Sequence, residues 1–292
     1  MAIIIEPLGG LGNQLFIYAL GLRLARDLET ELICDTWNFH NYSWHVYELD
    51  TIPNSISRTY SSRSREIFGH KSRSLVRKAQ GLRLLPKRFG RLTLEHGSSF
   101  DPSILKVLTG SRLNGYFQSL QYFAPVADEV RAQASEPLNP SKWMIDTRES
   151  LLNLGPWVAV HVRRGNYTYL PLMGLAQDTY YNRAICLMDD IMGPLPLVFF
   201  SDSPEMLESL AQHFADRVSI IETPPKVRAV DAMQVMSGAS SLVIGNSTFS
   251  WWAAFLRDKP NRPVIAPRPW LDDPSFNDRD LLLPQWITIG RS

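Results

Sequence analysis

The chain has 292 residues, 45% of them hydrophobic, with Lys+Arg 30 against Asp+Glu 29. That length fits one large domain or two, and the near-neutral charge argues against a dedicated nucleic-acid binder, which carries a basic excess. Cys34 and Cys186 give neither a disulfide framework nor a metal spacing, residues 2–5 are too short for a signal segment, and no apolar run reaches the ~20 residues of a membrane helix, so a cytoplasmic protein is expected.

Residues 2–5 are apolar and mostly β-branched, the pattern of a buried strand. Gly9-Gly10-Leu11-Gly12-Asn13-Gln14 then reads as a tight turn. Over residues 14–28, Leu15, Ala19, Leu22 and Ala25 recur at helical spacing, and residues 31–34 read as a second strand. Strand, glycine turn, helix and strand open a parallel α/β sheet, with the turn at the carboxyl end of its first strand. Residues 37–53 are aromatic-rich and irregular. Residues 58–91 are dense in Arg and Lys, with Glu66 as their acid, and interleave Leu75, Leu82, Leu84, Leu85 and Phe89. They read either as a solvated excursion or as a cationic face for an anionic acceptor or membrane leaflet.

A strand is expected over 112–117 and a helix over about 120–134, followed by the Pro-containing linker 136–140. The second half then alternates. Strands are predicted at 157–162, 197–200, 218–221, 241–244 and 263–266, and helices at 179–191, 204–214, 230–236 and from about 246 through 256. The expected architecture is α/β, two Rossmann-like lobes facing a cleft. The expected lobes are residues 1–138, with the basic insertion at about 58–91, and residues 139–292.

Three strand ends of the second half carry polar groups, and ligands of open parallel sheets bind at such ends. In His161-Val162-Arg163-Arg164-Gly165, alternation puts His161 and Arg163 on one face and Arg164 on the other, toward a structural acid. The planar guanidinium of Arg163 suits a phosphate. Phe200-Ser201-Asp202 ends the next strand. Asn246-Ser247-Thr248-Phe249-Ser250 lies where a strand turns into a helix, whose first-turn N–H groups and dipole favour an anion; an ordinary hydroxyl cap reads the same way. Trp251 and Trp252 read as core. The glycine turn lacks the Lys-Ser/Thr of a phosphate loop and the third glycine of the dinucleotide fingerprint, but Gly10 and Gly12 allow close backbone approach and Asn13 projects an amide. Asp278-Arg279-Asp280 matches the Asp-x-Asp of metal-dependent transferases, yet lies in a polar tail beyond the last predicted strand, and no metal site is expected. Asp189-Asp190 and Asp272-Asp273 read as solvated pairs.

Gly9-Gly10-Leu11-Gly12-Asn13-Gln14-Leu15-Phe16, Gly115-Tyr116-Phe117-Gln118-Ser119, His161-Val162-Arg163-Arg164-Gly165-Asn166-Tyr167, Phe200-Ser201-Asp202, Asn246-Ser247-Thr248-Phe249-Ser250-Trp251-Trp252-Ala253-Ala254 and Ile265-Ala266-Pro267 occur in this order. Together they resemble the α-1,2-fucosyltransferases of glycosyltransferase family 11, over essentially the whole chain. The resemblance implies a GT-B type fold and metal-independent, inverting transfer from GDP-fucose to a galactose 2-hydroxyl. It implies that Arg163 binds the donor phosphates, that Ser247, Thr248 and Phe249 form a second donor segment, and that Asp202 and His161 lie near the nucleotide. It implies that Asn13 reaches the reaction centre. One departure stands out: Asn166 replaces the Asp usual in the family, and an amide cannot accept a proton at neutral pH. A galactose-containing oligosaccharide or lipid-linked acceptor is expected, with the basic segment as a peripheral contact to an anionic membrane. Transfer from another GDP- or UDP-sugar, and nucleotide-sugar binding without catalysis, are the competing readings.

Overall fold

The computed structural model describes residues 1–40, 45–59, 88–89, 92–165 and 173–292. Asn166 and nearly all of the basic segment 58–91 lie outside the described residues. The chain divides into two compact units, Met1–Val130 and Arg131–Ser292.

The N-terminal unit holds β1 (Ile3–Ile5), β2 (Leu32–Asp35), β3 (Ser57–Thr59), β4 (Arg88–Phe89), β5 (Leu92–Leu94) and β6 (Arg112–Asn114). Their spatial order is β3-β2-β1-β6-β5-β4, parallel throughout except for β4 against β5. Helix α1 (Leu11–Asp27) follows β1, and a single turn, α2 (Trp37–His40), follows β2. The α1 helix begins three residues earlier than periodicity suggested, with the extended Gly10 as its cap. Its buried face includes Leu15, Phe16, Ala19, Leu22 and Ala25. The helix expected over 120–134 is broken. Residues Leu120–Tyr122 and Ala124–Val126 form 3₁₀ turns before α3 (Ala127–Ser135). Pro125 removes a backbone donor inside that run, so an uninterrupted α-helix cannot form across it.

The C-terminal unit holds α4 (Lys142–Leu152), β7 (Val158–Val162), α5 (Asp178–Met192), β8 (Leu197–Ser201), α6 (Glu208–Gln212), β9 (Val218–Ile221), α7 (Ala229–Ser237), β10 (Ser241–Val243), α8 (Thr248–Leu256), β11 (Val264–Arg268) and β12 (Ile287–Gly290). All its strands are parallel, in the order β9-β8-β7-β10-β11-β12. Counted along the chain, that is 3-2-1-4-5-6, the doubly wound order, whose ligand crevice lies outside the strand ends where the order reverses, here between β7 and β10. Strand β7 is buried at every residue, as a central parallel strand covered on both faces must be. Its core includes Val158, Val160 and Val162 with Tyr180, Tyr181 and Ile185 of α5. Trp251 and Trp252 are fully buried, and the Trp251 indole donates to the Leu281 carbonyl at 2.8 Å, so both belong to the core. The helix expected over 204–214 is a 3₁₀ turn at Pro204–Met206 followed by the short α6. Strand β12 lay outside the expected elements because a half-exposed edge strand of four residues carries a weak apolar pattern.

Candidate active site

Register brings together the residues singled out at the strand ends of the C-terminal sheet. The last pair between β7 and β8 is Val162 with Ser201, so the next residues along, Arg163 and Asp202, face each other past the ends of the strands. Arg163 Nη1 lies 2.7 Å from Asp202 Oδ2, and the other carboxylate oxygen accepts the Arg164 backbone N–H at 2.8 Å. Both side chains are about a quarter exposed, so the pair stands at a water-accessible edge. One aspartate thus fixes the guanidinium of Arg163 and the backbone leading into the next turn. Gly165 has φ +30°, and a Cβ there would sit 2.0 Å from Asp202 Oδ2. Only a glycine lets the carboxylate come in this close.

Arg164 points the other way and is buried. It donates to the Ala176 carbonyl at 2.7 Å and pairs with Asp178 at 2.5 Å, beside the Tyr181 ring. Its role is to tie the strand end to the start of α5, as alternation predicted.

His161 is 5% exposed and packs against Phe249, with ring centroids 5.6 Å apart. Its carbonyl accepts the Tyr181 hydroxyl at 3.2 Å. Nδ1 is buried with no hydrogen-bond partner among the described residues. Burial first, and the neighbouring Arg163 second, push its pKa down to about 3. The ring is therefore neutral at pH 7 and does no acid–base work there.

Across the β7/β10 switch, Ser247 caps α8 in an extended conformation without a side-chain cap bond. The nine-residue helix opens at Thr248. Its first-turn N–H groups have no intrahelical acceptors and carry the positive end of the helix dipole. Ser250 is fully buried and its hydroxyl bonds back to Ser247 O at 3.1 Å, so it serves the helix and not a ligand. Asn246 is fully buried, and its amide donates to the carbonyls of Met173 and Gly174 at 3.0 and 2.6 Å. It anchors the chain that returns beyond residue 172.

The structure therefore gathers His161, Arg163, Asp202, Ser247, Thr248 and Phe249 at one carboxyl edge of one sheet. Gly10, Gly12 and Asn13 belong to the N-terminal unit. There Gly9, at φ +73°, makes the turn after β1, and Gly12 is buried in the first turn of α1. Asn13 Oδ1 accepts from Gln118 Nε2 at 2.9 Å. The neighbouring Gln14 is fully buried; it donates to the carbonyls of Gly9 and Val46 and accepts from the Glu48 N–H.

Sequence reasoning overlooked the acids of that edge. Glu6 and Asp35 both bind Arg112 Nη1, at 2.6 and 2.7 Å, and Asn114 donates to Glu6 at 3.1 Å. Burial opposes the charge of Arg112, but the two carboxylates outweigh it and raise its pKa. Glu95, one residue past β5, accepts the N–H groups of Tyr116 and Phe117 at 2.6 and 2.9 Å. Each acid lies directly after a strand or at its last residue, a position signal that single residues without a neighbouring motif do not announce. Asp278 accepts the Trp270 N–H at 3.0 Å and pairs with Arg268, so this member of the Asp-x-Asp match is structural. The acid pairs expected to be solvated are in part engaged: Asp189 holds Arg217 and Asp272 holds Arg291.

The glycosyl transferase family 11 model matches residues 109–290, more than half of the chain. The chain belongs to this family. It is a glycosyltransferase, and its two parallel-sheet α/β units are of the GT-B type. It is 29% identical over 305 residues to an alpha-1,2-colitosyltransferase of Escherichia coli, covering 100% of both chains. It is 26% identical over 304 residues to the O-antigen biosynthesis glycosyltransferase WbnK of Escherichia coli, covering 96% of this chain and 98% of the relative. A galactoside 2-alpha-L-fucosyltransferase of Caenorhabditis elegans is 25% identical over 187 residues, 61% of this chain and 52% of that one. Among solved structures, the fucosyltransferase NodZ from Bradyrhizobium superposes with a TM-score of 0.54 at 12% identity, over 87% of this chain and 92% of that one, a likeness of fold. Among the described residues no helix is long and apolar enough to cross a membrane.

Proposed function

We propose that the protein transfers L-fucose from GDP-fucose to the 2-hydroxyl of a galactose-containing acceptor, with inversion and without a metal, in the building of a surface polysaccharide. The observation that carries this reading is Arg163, pinned by Asp202 at the end of β7, on the same sheet edge as the N-terminus of α8, in a family 11 chain. At this edge Arg163, the Ser247 hydroxyl and the first-turn N–H groups of α8 would meet the donor diphosphate. In the displacement, the acceptor hydroxyl oxygen bonds to the anomeric carbon as the bond from that carbon to the β-phosphate oxygen breaks, and the hydroxyl proton passes to the departing phosphate. The negative charge that grows on that phosphate is what Arg163 and the helix end are placed to stabilise, an effect commonly worth several kcal/mol. His161, neutral and packed on Phe249, fits a base-side contact in which no proton moves. A good leaving group lowers the demand on a base, which agrees with Asn166 standing where the family resemblance implies an Asp.

The relatives support an α-1,2 linkage and an O-antigen setting, while the colitosyl name keeps a second donor in view, since colitose is fucose without its 3-hydroxyl. The test is mass spectrometry of products from GDP-fucose, GDP-colitose, GDP-mannose and UDP-sugars with β-galactoside acceptors, with and without EDTA. A fucosyl-galactoside formed equally in both conditions supports the reading. Transfer from a UDP-sugar alone, or transfer abolished by EDTA, overturns it. A cytoplasmic enzyme touching the inner membrane face through its basic segment fits such an acceptor, and binding to anionic vesicles that salt fails to weaken would count against that placement.

A further inference from the structure

The turn after β6 is strained and braced by an acid from the neighbouring strand end. Leu94 of β5 pairs with Asn114 of β6, so Glu95 and Gly115 stand opposite each other just past the sheet. A Cβ on Gly115 would lie 2.3 Å from Glu95 Cβ, so the acid occupies the space that only glycine leaves. Both oxygens of Glu95 accept successive backbone N–H groups, from Tyr116 and Phe117. Phe117 is held at φ +52°, an unfavourable region for an aromatic residue, while its ring is fully buried. Next to this buried ring, Tyr116 is 43% exposed. One residue further on, Gln118 donates to Asn13 Oδ1, which joins this turn to the glycine turn after β1. Strands β1 and β6 are neighbours at the point where the order of the N-terminal sheet reverses. A strained, braced turn thus carries a part-exposed tyrosine two residues before a glutamine whose amide meets that of Asn13, at the place where an open α/β sheet binds ligands.

We infer that Tyr116, with the amides of Asn13 and Gln118, forms the subsite for the galactose ring of the acceptor, and that Glu95 is the positioning residue that holds Tyr116 there. The inference rests on the proposed transfer to galactose. The chemistry matches the sugar. The axial 4-hydroxyl of galactose leaves the C–H groups at positions 3, 4 and 5 together on one face, an apolar patch for an aromatic ring, while its hydroxyls at the rim both donate and accept. Side-chain amides offer the complementary donors and acceptors without the desolvation cost of a charge. Glucose, with an equatorial 4-hydroxyl, lacks that continuous patch.

The experiment uses the full chain. Ligand-observed saturation-transfer NMR is recorded with methyl β-galactoside, lactose and methyl β-glucoside, and GDP binding is measured by calorimetry on the same samples. Saturation is expected at galactose H3, H4 and H5, and more weakly on the glucoside. Tyr116→Ala should weaken galactoside binding by about tenfold or more, and Tyr116→Phe should retain it. Glu95→Gln, which removes one acceptor oxygen and so loosens the hold on Tyr116, should weaken it although the tyrosine side chain is intact. GDP affinity should not change in any of the three variants. Absence of galactoside saturation in the wild type, or equal saturation in Tyr116→Ala, overturns the subsite. A wild-type chain that binds galactosides but not GDP breaks the donor reading and leaves the subsite standing. Because Tyr116 is exposed, its replacement does not depend on whether Glu95→Gln folds.

Discussion

In the C-terminal unit, the strand ends beside the β7/β10 reversal carry a guanidinium, the aspartate that aims it, and a helix N-terminus. In the N-terminal unit, the ends beside the β1/β6 reversal carry Glu6, Asp35 and Glu95 with the amides of Asn13 and Gln118. Both sheets run 3-2-1 up to the reversal point, so topology assigns each a ligand crevice and says nothing of what fills it. Side-chain chemistry decides that. The first edge offers positive charge and hydrogen-bond donors to an anion. The second, where Arg112 takes up Glu6 and Asp35, offers an aromatic ring and neutral amides, which suit an uncharged polyhydroxyl ligand.

The largest break in this contrast should come from Arg163→Ala. Transfer is expected to fall on the order of 10²–10³-fold with the melting temperature nearly unchanged, because the lost interaction is strongest in the transition state. Steady-state kinetics alongside thermal melting would show this, and a near-normal rate would remove Arg163 from the mechanism. Next comes Gly165→Ala, compared with Gly155→Ala. Both glycines have positive φ, but a Cβ at Gly155 meets nothing within 4 Å, whereas one at Gly165 strikes Asp202. Gly155→Ala should cost only the backbone strain, about 1–2 kcal/mol in urea unfolding. Gly165→Ala should cost more and should also weaken GDP binding; equal effects would show that Asp202 does not need its close approach. In the N-terminal unit, Glu95→Gln leaves one oxygen for two N–H donors and should cost about 1–3 kcal/mol of stability while GDP binding persists.

The smallest effects are the pH slopes, and they should have opposite signs. Burial raises the Glu95 pKa from 4.5 to about 7, against the pull of its two backbone donors. Its contribution is therefore fully present below pH 4.5 and is lost as pH rises through 7. Burial lowers the His161 pKa from 6.5 to about 3, so its contribution is present above pH 6.5 and is lost as pH falls through 3. Between pH 4.5 and 6.5, the wild type should lose stability with rising pH relative to Glu95→Gln, and gain it relative to His161→Gln. Slopes of the same sign would erase the electrostatic difference between the two edges.

Much of the C-terminal edge was legible in the sequence because its residues lie in contiguous runs. His161 through Gly165 is one strand end, and Ser247 through Phe249 one helix start, so local periodicity places each of them. The alternation that sends Arg163 outward and Arg164 inward follows from the strand alone. The pairing of Arg163 with Asp202 could not be read this way, since it depends on the β7/β8 register across 39 residues of chain, as does the need for glycine at 165. The brace at Glu95 and Gly115 was hidden for the same reason. Glu95 and Gly115 are far apart in the sequence, and they meet only because β5 and β6 pair in parallel. Helix boundaries shifted where a single residue overrode periodicity, as at Gly10 and Pro125.

The central claim is that the ends of β7 and β10 bind the diphosphate of the donor. Calorimetric titration of the wild type and Arg163→Ala with GDP and with guanosine tests it most directly. A charge-assisted bond to phosphate is worth about 1.5–3 kcal/mol, so GDP affinity should fall by roughly 10- to 100-fold in the variant while guanosine affinity stays the same. Equal losses for both ligands, or none for either, would contradict the account.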